Sequence, residues 1–347
     1  MSSLTVADIG EHAIIARVRD GLDGTSPATL VVGVGDDAAI IEPDRGKLLV
    51  LTTDALVEGV HFDHAFCPMR AIGHKALAAN LSDVAAMGAT PRYALLSLAL
   101  PPSLAITALD QLVAGFSALA TRHATAVVGG NITTSPGPLF VDVTAVGSVK
   151  RRRALTRAGA RPGDILYMSG VVGAAAAGLG LLRAGTPPVA DIDKQDGTPA
   201  RDLDRCRDRY LYPEPRLRLG MHLAHHGAAR SCIDLSDGLA DGARQLASAS
   251  GTGVVVDAAA IPVAPGARMW FGQQGVDPVT AALAGGEDYE LLFTSPPGMR
   301  RRVDAARRRS GKPILTPIGY VTKETDCVLR RDGHDEPLPA GYEHFRR

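Results

Sequence analysis

The sequence predicts a layered α/β protein, α+β in the mixing of its sheets, built as two domains. Three observations predict it. β-rich runs alternate with amphipathic helical stretches through residues 30–149, the order of a sheet covered by helices. The same order restarts after the turn Arg161-Pro162-Gly163-Asp164 with the apolar run Ile165 to Met168. A chain of 347 residues is long enough for two cores. The expected division is 1–150 and 151–347.

In the first half, residues 4–20 show helical spacing, with Ile9, Ala13, Ala16 and Val18 set among charges. Leu30 to Val34 reads as a strand stopped by Gly35-Asp36-Asp37. Ala38 to Ile41 resumes it, and Leu48 to Thr52 is a third β-rich run that ends in Thr52, Thr53 and Asp54. Alone, two strands about a glycine–acid turn are a hairpin. Residues 70–88 read as a helix stopped by Gly88. Leu77, Leu81 and Val84 form its apolar stripe, and Asn80, Asp83 and Met87 run along another face. Asp83 is therefore either solvated or turned toward a site. The alanines at 79, 85 and 86 make a packed surround and favour the site. Tyr93 to Leu100 is a strand closed by Pro101-Pro102, and residues 103–123 an amphipathic helix. Ala126 to Val128 leads into Gly129-Gly130-Asn131, and Phe140 to Val149 is a further strand. Lys150 to Arg153 reads as a solvated linker face.

In the second half, a glycine–alanine helix runs through Leu182. The polar residues 185–209 read as a surface excursion. A helix through His225 carries His222, His225 and His226, expected as exposed residues because no acid stands near to complete a metal site. Ser231 to Leu235 is a short strand, and Asp237-Gly238 opens a helix. Gly253 to Asp257 is a strand, Ala284 to Thr294 a glycine turn feeding another, and Arg300 to Arg309 a solvated basic helix. Pro317 to Tyr320 enters the last strand.

Composition narrows the function. Lys plus Arg equals Asp plus Glu, 37 each, so no global field argues for nucleic acid. Aromatics at 4% disfavour a base-stacking platform. None of the four cysteines forms a C-x-x-C pair, which suits a reduced, cytoplasmic setting. Asp8 and Glu11 stand where a signal peptide needs a basic start and an apolar core. The longest apolar run, Val171 to Leu182, is too short for a bilayer. No phosphate-binding G-x-x-x-x-G-K-[ST], dinucleotide G-x-G-x-x-G, H-E-x-x-H or G-x-S-x-G occurs.

What remains is a set of carboxylates at expected strand or helix ends: Asp36, Asp37, Asp54, Asp83, Asp234, Asp237 and Glu287. With them come the hydroxyls of Thr52, Thr53 and Ser236. Capping explains one acid at a helix start, but Asp234, Ser236, Asp237 and Asp241 exceed what a cap needs. Glu287 and Asp288 fit a hairpin turn equally well. Carboxylates gathered in one pocket repel unless cations stand between them. Magnesium takes one or two carboxylates plus substrate phosphates, so the set points to phosphoryl transfer.

GVGDDAAII (33–41 with Val32 before it), LTTDALVEGVHF, NLSDVAAMGATPRYALLSLALP, ALTRAGARPGD, IDLSDGL, AGGEDYELLFT and the terminal GYEHF together resemble the thiamine-monophosphate kinase family. That family shares a superfamily with aminoimidazole-ribonucleotide synthetase, selenophosphate synthetase and a hydrogenase-maturation protein. The resemblance runs in order over nearly the whole chain. It implies an N-terminal sheet-and-helix domain for ATP, magnesium and dimerisation, a C-terminal α/β domain of the aminoimidazole-ribonucleotide synthetase-like type, and a homodimer. It implies magnesium at Asp37, Thr52, Thr53, Asp54, Asp83, Asn131, Asp234 and Asp237, and ATP at Gly130, Asn131, Arg157 and Ser236. His61, Glu287 and Tyr342 would meet thiamine monophosphate. The reaction would give ADP and thiamine diphosphate with no general base, charge being neutralised by Arg157 and the metals.

One departure stands out. The family has aspartate after the paired glycines, where this chain has Asn131. An amide oxygen can ligate magnesium but brings no charge. The alternatives are another ATP-dependent synthetase of the superfamily and a nucleotide-binding dimer without catalysis. The first cysteine, Cys67, follows the acid motif, which counts against selenophosphate chemistry.

Overall fold

The structure is a computed structural model and describes residues 4–22, 27–35, 38–185 and 199–341. The chain divides into two compact units, Met1–Val84 with Thr90–Arg151, and Ala85–Ala89 with Arg152–Arg347.

The N-terminal unit opens with helices α1 (Val6–Ile9) and α2 (Glu11–Gly21), broken apart at Gly10, whose φ of 76° no helix accepts. Strands β1 (Leu30–Val32) and β2 (Ile40–Ile41) form an antiparallel pair. Then come β3 (Lys47–Val57), α3 (Met69–Ala86), β4 (Thr90–Leu100), α4 (Ile106–Arg122), β5 (Ala126–Thr134) and β6 (Phe140–Lys150). The sheet order is β3-β6-β4-β5, antiparallel except for β4 beside β5. A parallel neighbour needs a crossover, and α4 is that crossover.

The two long helices lie backbone to backbone. A Cβ on Gly73 would stand 1.9 Å from the Leu112 carbonyl oxygen, and one on Gly115 would stand 1.9 Å from that of Arg70. Only glycine fits at either place. Alternation splits β3 cleanly. Val50 and Leu56 are buried, whereas Leu49 and Leu51 are 57% and 68% exposed, so one sheet face is covered and the other carries apolar side chains into the open.

The C-terminal unit holds β7 (Ile165–Ser169), α5 (Ala174–Arg183), α6 (Pro199–Leu211), α7 (Leu217–His226), β8 (Ser231–Asp234), α8 (Leu239–Ser250) and β9 (Gly253–Asp257). It continues with α9 (Pro265–Gln273), α10 (Pro278–Ala284), β10 (Leu291–Ser295), α11 (Arg300–Arg309), β11 (Leu315–Thr322), β12 (Cys327–Arg331) and β13 (His334–Pro337). The seven strands run β13-β12-β9-β11-β7-β10-β8. Met168, Ile233, Val254, Leu292 and Ile318 from this sheet meet Leu239 and Leu246 of α8 in one core.

Several sequence expectations are corrected. Thr52 to Asp54 do not end a strand; β3 continues to Val57. The run from Ala126 to Val128 extends further than expected, since Gly129-Gly130-Asn131 lies inside β5 as well. Of the supposed surface excursion 185–209, residues 199–209 belong to α6, which buries Cys206 and Tyr210. Pro317 to Tyr320 belongs to β11, and two further strands follow it.

Candidate functional site

In the N-terminal unit, β3 and α3 bring the first group together. The Thr52 hydroxyl donates to the Asp83 carboxylate at 2.5 Å. Strand alternation puts Asp54 on the same face as Thr52. Asp83 thus points at the sheet and is half-buried, not solvated. One turn back on α3, the fully buried Asn80 gives its amide to the Ala76 carbonyl, while its oxygen has no hydrogen-bond partner.

His61 follows on a tight turn, its amide bonded to the Val57 carbonyl at 2.9 Å. The Val57 amide donates to His61 Nδ1 at 3.1 Å, and buried Lys75 holds the His61 carbonyl at 3.3 Å. With Nδ1 accepting, a neutral imidazole carries its proton on Nε2, so that edge of the ring is a donor.

Asn131 and Thr53 lie on the opposite sheet face from Thr52, Asp54 and Asp83. Register sets Asn131 beside Ser97, Ser97 beside Asp142, and Asp142 beside Ala55, one row across four strands. Thr53 belongs to the next row on that face, opposite Thr144. Its hydroxyl has two acceptors in reach for its one proton, the Val143 carbonyl at 3.1 Å and the Asp142 carboxylate at 3.3 Å. Gly130 is pressed against β4: a Cβ there would stand 1.9 Å from the Leu96 carbonyl oxygen. Asp142 escaped the sequence reading because it sits in an alternating strand with no turn or glycine beside it. Its signal is the register alone.

In the C-terminal unit, Asp234 ends edge strand β8 and is buried opposite Leu291. The chain then turns through Ser236, Asp237 and Gly238, with φ 102° at Gly238, into α8. The 286–290 segment runs alongside. The Glu287 amide donates to the Ser236 carbonyl at 2.6 Å, the Tyr289 amide to that of Leu235 at 3.0 Å, and the Leu235 amide to that of Glu290 at 2.9 Å. These bonds hold Glu287 and Tyr289 at φ 66° and 49°, left-handed values unusual for residues with a Cβ. Glu287, Ser236 and Asp237 are thereby neighbours, and Ser236 donates to Asp237 at 3.1 Å.

The acids of AGGEDYELLFT divide by role. Asp288 is buried and accepts from the Gly173 and Ala175 amides at 2.6 and 3.0 Å, capping α5. Burial pushes its carboxyl up to about 6, against the pull of those amides. Glu290, also buried, accepts from Ser169, Arg209 and Arg216. Both are structural; Glu287 alone stays at the turn. Arg157 is exposed and donates to Gln245 at 2.5 Å, while Gln245 donates to Asp241 one helical turn earlier on α8. The sequence reading missed Gln245, although its spacing from Asp241 was legible. A cavity of about 660 Å³ between α5, α6 and α9 has none of Asp234, Ser236, Asp237 or Glu287 in its lining. Asp37 and Tyr342, with Asp36, lie outside the described residues.

The donors on these faces are carboxylate, hydroxyl and amide oxygens, and among the described residues no three His, Cys, Asp or Glu side chains form a ready metal cage. That chemistry fits a hard ion which keeps waters and takes substrate phosphates.

A family model for the AIR synthase related protein N-terminal domain matches residues 35–149, and one for its C-terminal domain matches residues 161–332. Over 342 residues the chain is 37% identical to thiamine-monophosphate kinase of Escherichia coli (strain K12), covering 97% of this chain and 98% of that one. The chain belongs to the thiamine-monophosphate kinase family. The family's protein from Aquifex aeolicus (strain VF5) is 35% identical over 344 residues, 99% of this chain and 100% of that one. The crystal structure of thiamine-monophosphate kinase from Stenotrophomonas maltophilia K279a superimposes with a TM-score of 0.80 at 36% identity, covering 94% of this chain and 98% of that one. AaThiL complexed with AMPPCP and TMP gives 0.74 at 31%, covering 99% and 100%. Hydrogenase maturation protein HypE, at 22% identity and a TM-score of 0.76 over 96% of each chain, shares the fold.

Proposed function

We propose that this protein transfers the γ-phosphoryl group of ATP to thiamine monophosphate, giving ADP and thiamine diphosphate. The likeness to AaThiL complexed with AMPPCP and TMP over 99% of this chain carries the reading. Magnesium is held by Asp37, Thr52, Thr53, Asp54, Asp83 and Asn131 of the N-terminal unit and by Asp234 and Asp237 of the C-terminal one. Gly130, Asn131, Arg157 and Ser236 bind ATP; His61, Glu287 and Tyr342 bind the acceptor. The enzyme works in the cytoplasm; no described helix is long and apolar enough to cross a membrane. Incubation of pure protein with ATP, magnesium and thiamine monophosphate tests the proposal. ADP formed without thiamine diphosphate would overturn it.

The acceptor needs no base. A phosphate monoester has its second pKa at about 6 and is mostly dianionic at neutral pH, so its oxygen is already nucleophilic. The difficulty is bringing two anions together. Arg157, aimed by Gln245, supplies fixed positive charge, and bound magnesium supplies the rest of the charge neutralisation. His61 offers Nε2–H, a donor to an anion and not a proton acceptor. His61→Ala should therefore raise KM for thiamine monophosphate about tenfold, the loss of roughly one hydrogen bond to a charged group, with kcat nearly kept. Steady-state kinetics decide it: loss of kcat at saturating acceptor with binding intact would make His61 a catalytic base.

The open face of the four-stranded sheet carries the dimer proposal. Leu49, Leu51 and Leu95 stand exposed on it, and each leucine left in water forgoes about 1.5–3 kcal/mol of burial. A second copy laid on this face covers them. Light scattering should give twice 36.2 kDa for the wild type and one chain mass for Leu51→Asp. A wild-type monomer would refute the assembly.

A further inference from the structure

The segment that carries Glu287 is held in an unfavourable shape. Glu287 and Tyr289, at φ 66° and 49°, are two left-handed residues with only Asp288 between them. A residue with a Cβ keeps such a conformation only where the bonds around it over-determine it. The amides of both residues donate to the Ser236 and Leu235 carbonyls, which fixes the segment along one side. Gly286 permits the approach: a Cβ there would stand 2.4 Å from the Ser236 carbonyl oxygen.

Asp288, between the two, is held by two helices. Its carboxylate accepts from the Gly173 and Ala175 amides at the start of α5. Its carbonyl accepts from Arg209 Nη2 of α6 at 2.7 Å. The same nitrogen donates to Glu290 at 2.9 Å. One guanidinium therefore ties the carbonyl that follows Glu287 to a buried carboxylate further along the segment. Arg216 pairs with Glu290 but not with Asp288. The Glu290 carboxylate thus has Ser169, Arg209 and Arg216, whereas among the described residues the Asp288 carbonyl has Arg209 alone. Neutralising Glu290 does not require that contact, because Arg216 already supplies a cation. A donor on the middle carbonyl does set the turn.

We infer that Arg209 is a positioning residue for the acceptor end of the site. From α6, which carries none of the proposed ligands, it holds the 287–289 turn in the left-handed shape that places Glu287 beside Ser236 and Asp237. This role rests on the kinase reading, in which Glu287 meets the acceptor. Without Arg209 the turn relaxes toward ordinary backbone angles and Glu287 is in place for only part of the time. The apparent affinity for the acceptor then falls by that fraction.

Two variants of the full-length protein separate this role from stability. Arg209→Met and Arg216→Met each remove one guanidinium from Glu290. Each leaves it the other arginine and Ser169, so neither strands the buried carboxylate. Only Arg209→Met releases the Asp288 carbonyl. It should raise KM for thiamine monophosphate about tenfold, as when the competent turn falls to roughly a tenth of the population. Saturated kcat and the affinity for magnesium-bound AMPPCP should be nearly kept. Arg216→Met should lower the urea midpoint at least as far and leave KM as it was. Hydrogen exchange of the Glu287 and Tyr289 amides should quicken in Arg209→Met and not in Arg216→Met. Circular dichroism confirms that both variants fold. An unchanged KM in Arg209→Met, or an equal rise in both variants, overturns the inference, and so do 287 and 289 amides that exchange no faster. A wild-type protein that forms no thiamine diphosphate would refute the kinase reading, and the exchange rates would still decide whether Arg209 holds the turn.

Discussion

Asp83→Ala lowers kcat by about 10²–10³-fold, the scale expected when one preorganised electrostatic group is removed from a phosphoryl-transfer site. The carboxylate sits at the sheet side of α3 and is fixed by the Thr52 hydroxyl at 2.5 Å. It is half-buried, so its removal leaves Thr52 unpaired but opens no large cavity, and the melting temperature should fall by only a few degrees. Asp83→Asn separates the two roles. An amide oxygen still accepts from Thr52, so a purely structural Asp83 would leave that variant active. We expect it to be nearly as impaired as the alanine variant, with a higher Mg²⁺ requirement. Full activity in Asp83→Asn would remove this acid from the metal set.

Glu290→Ala destabilises the C-terminal unit by about 3–5 kcal/mol, the cost of breaking a buried ion pair from one side. Glu290 is fully buried. It accepts from Ser169 at 2.6 Å, Arg209 at 2.9 Å and Arg216 at 2.7 Å, with a second, shorter Arg216 contact. Its neighbour Gly170, at φ 60°, leaves room for the carboxylate: a Cβ there would stand 2.1 Å from Glu290 Oε1. Alanine at 290 strands two guanidinium groups in a site built for an anion. Urea unfolding should show the loss as a lower midpoint at unchanged slope. Arg216→Met with Glu290→Met should recover much of it, because neither charge is then left unpaired. A loss below about 1 kcal/mol for Glu290→Ala would mean that water reaches the arginines and the network is not a closed one.

How far the sequence could be read depended on whether pattern or register carried the information. The stripe of Leu77, Leu81 and Val84 gave α3, and its offset gave the direction of Asp83. The crowd at Asp234 to Asp237 was visible because two acids and a serine at one turn exceed a cap. By contrast, α6 was hidden by its charged composition. Its buried side, Leu203, Cys206 and Tyr210, keeps helical spacing, but aspartates and arginines fill the remainder. That Gly130 lets β5 approach β4 shows only once the two strands are paired. Thr52 and Thr53 could not be assigned to opposite faces until β3 was known to continue past them. Asp142 had no local mark at all, because its neighbours Ser97 and Asn131 come from other strands.

The reciprocal glycine contact of α3 and α4 has a bearing on dimensional tolerance. Gly73 and Gly115 fix the spacing of the two helices as a key fixes a shaft. α3 carries Asp83, and α4 leads directly into the strand that carries Gly130 and Asn131. An oxygen ligand is useful only within about 0.2 Å of its bond length. If the oxygens on the two faces of the sheet hold magnesium as proposed, the two buried glycines act as the gauge block against which they are set. A single methyl group there would put the whole assembly out of true without altering one polar atom.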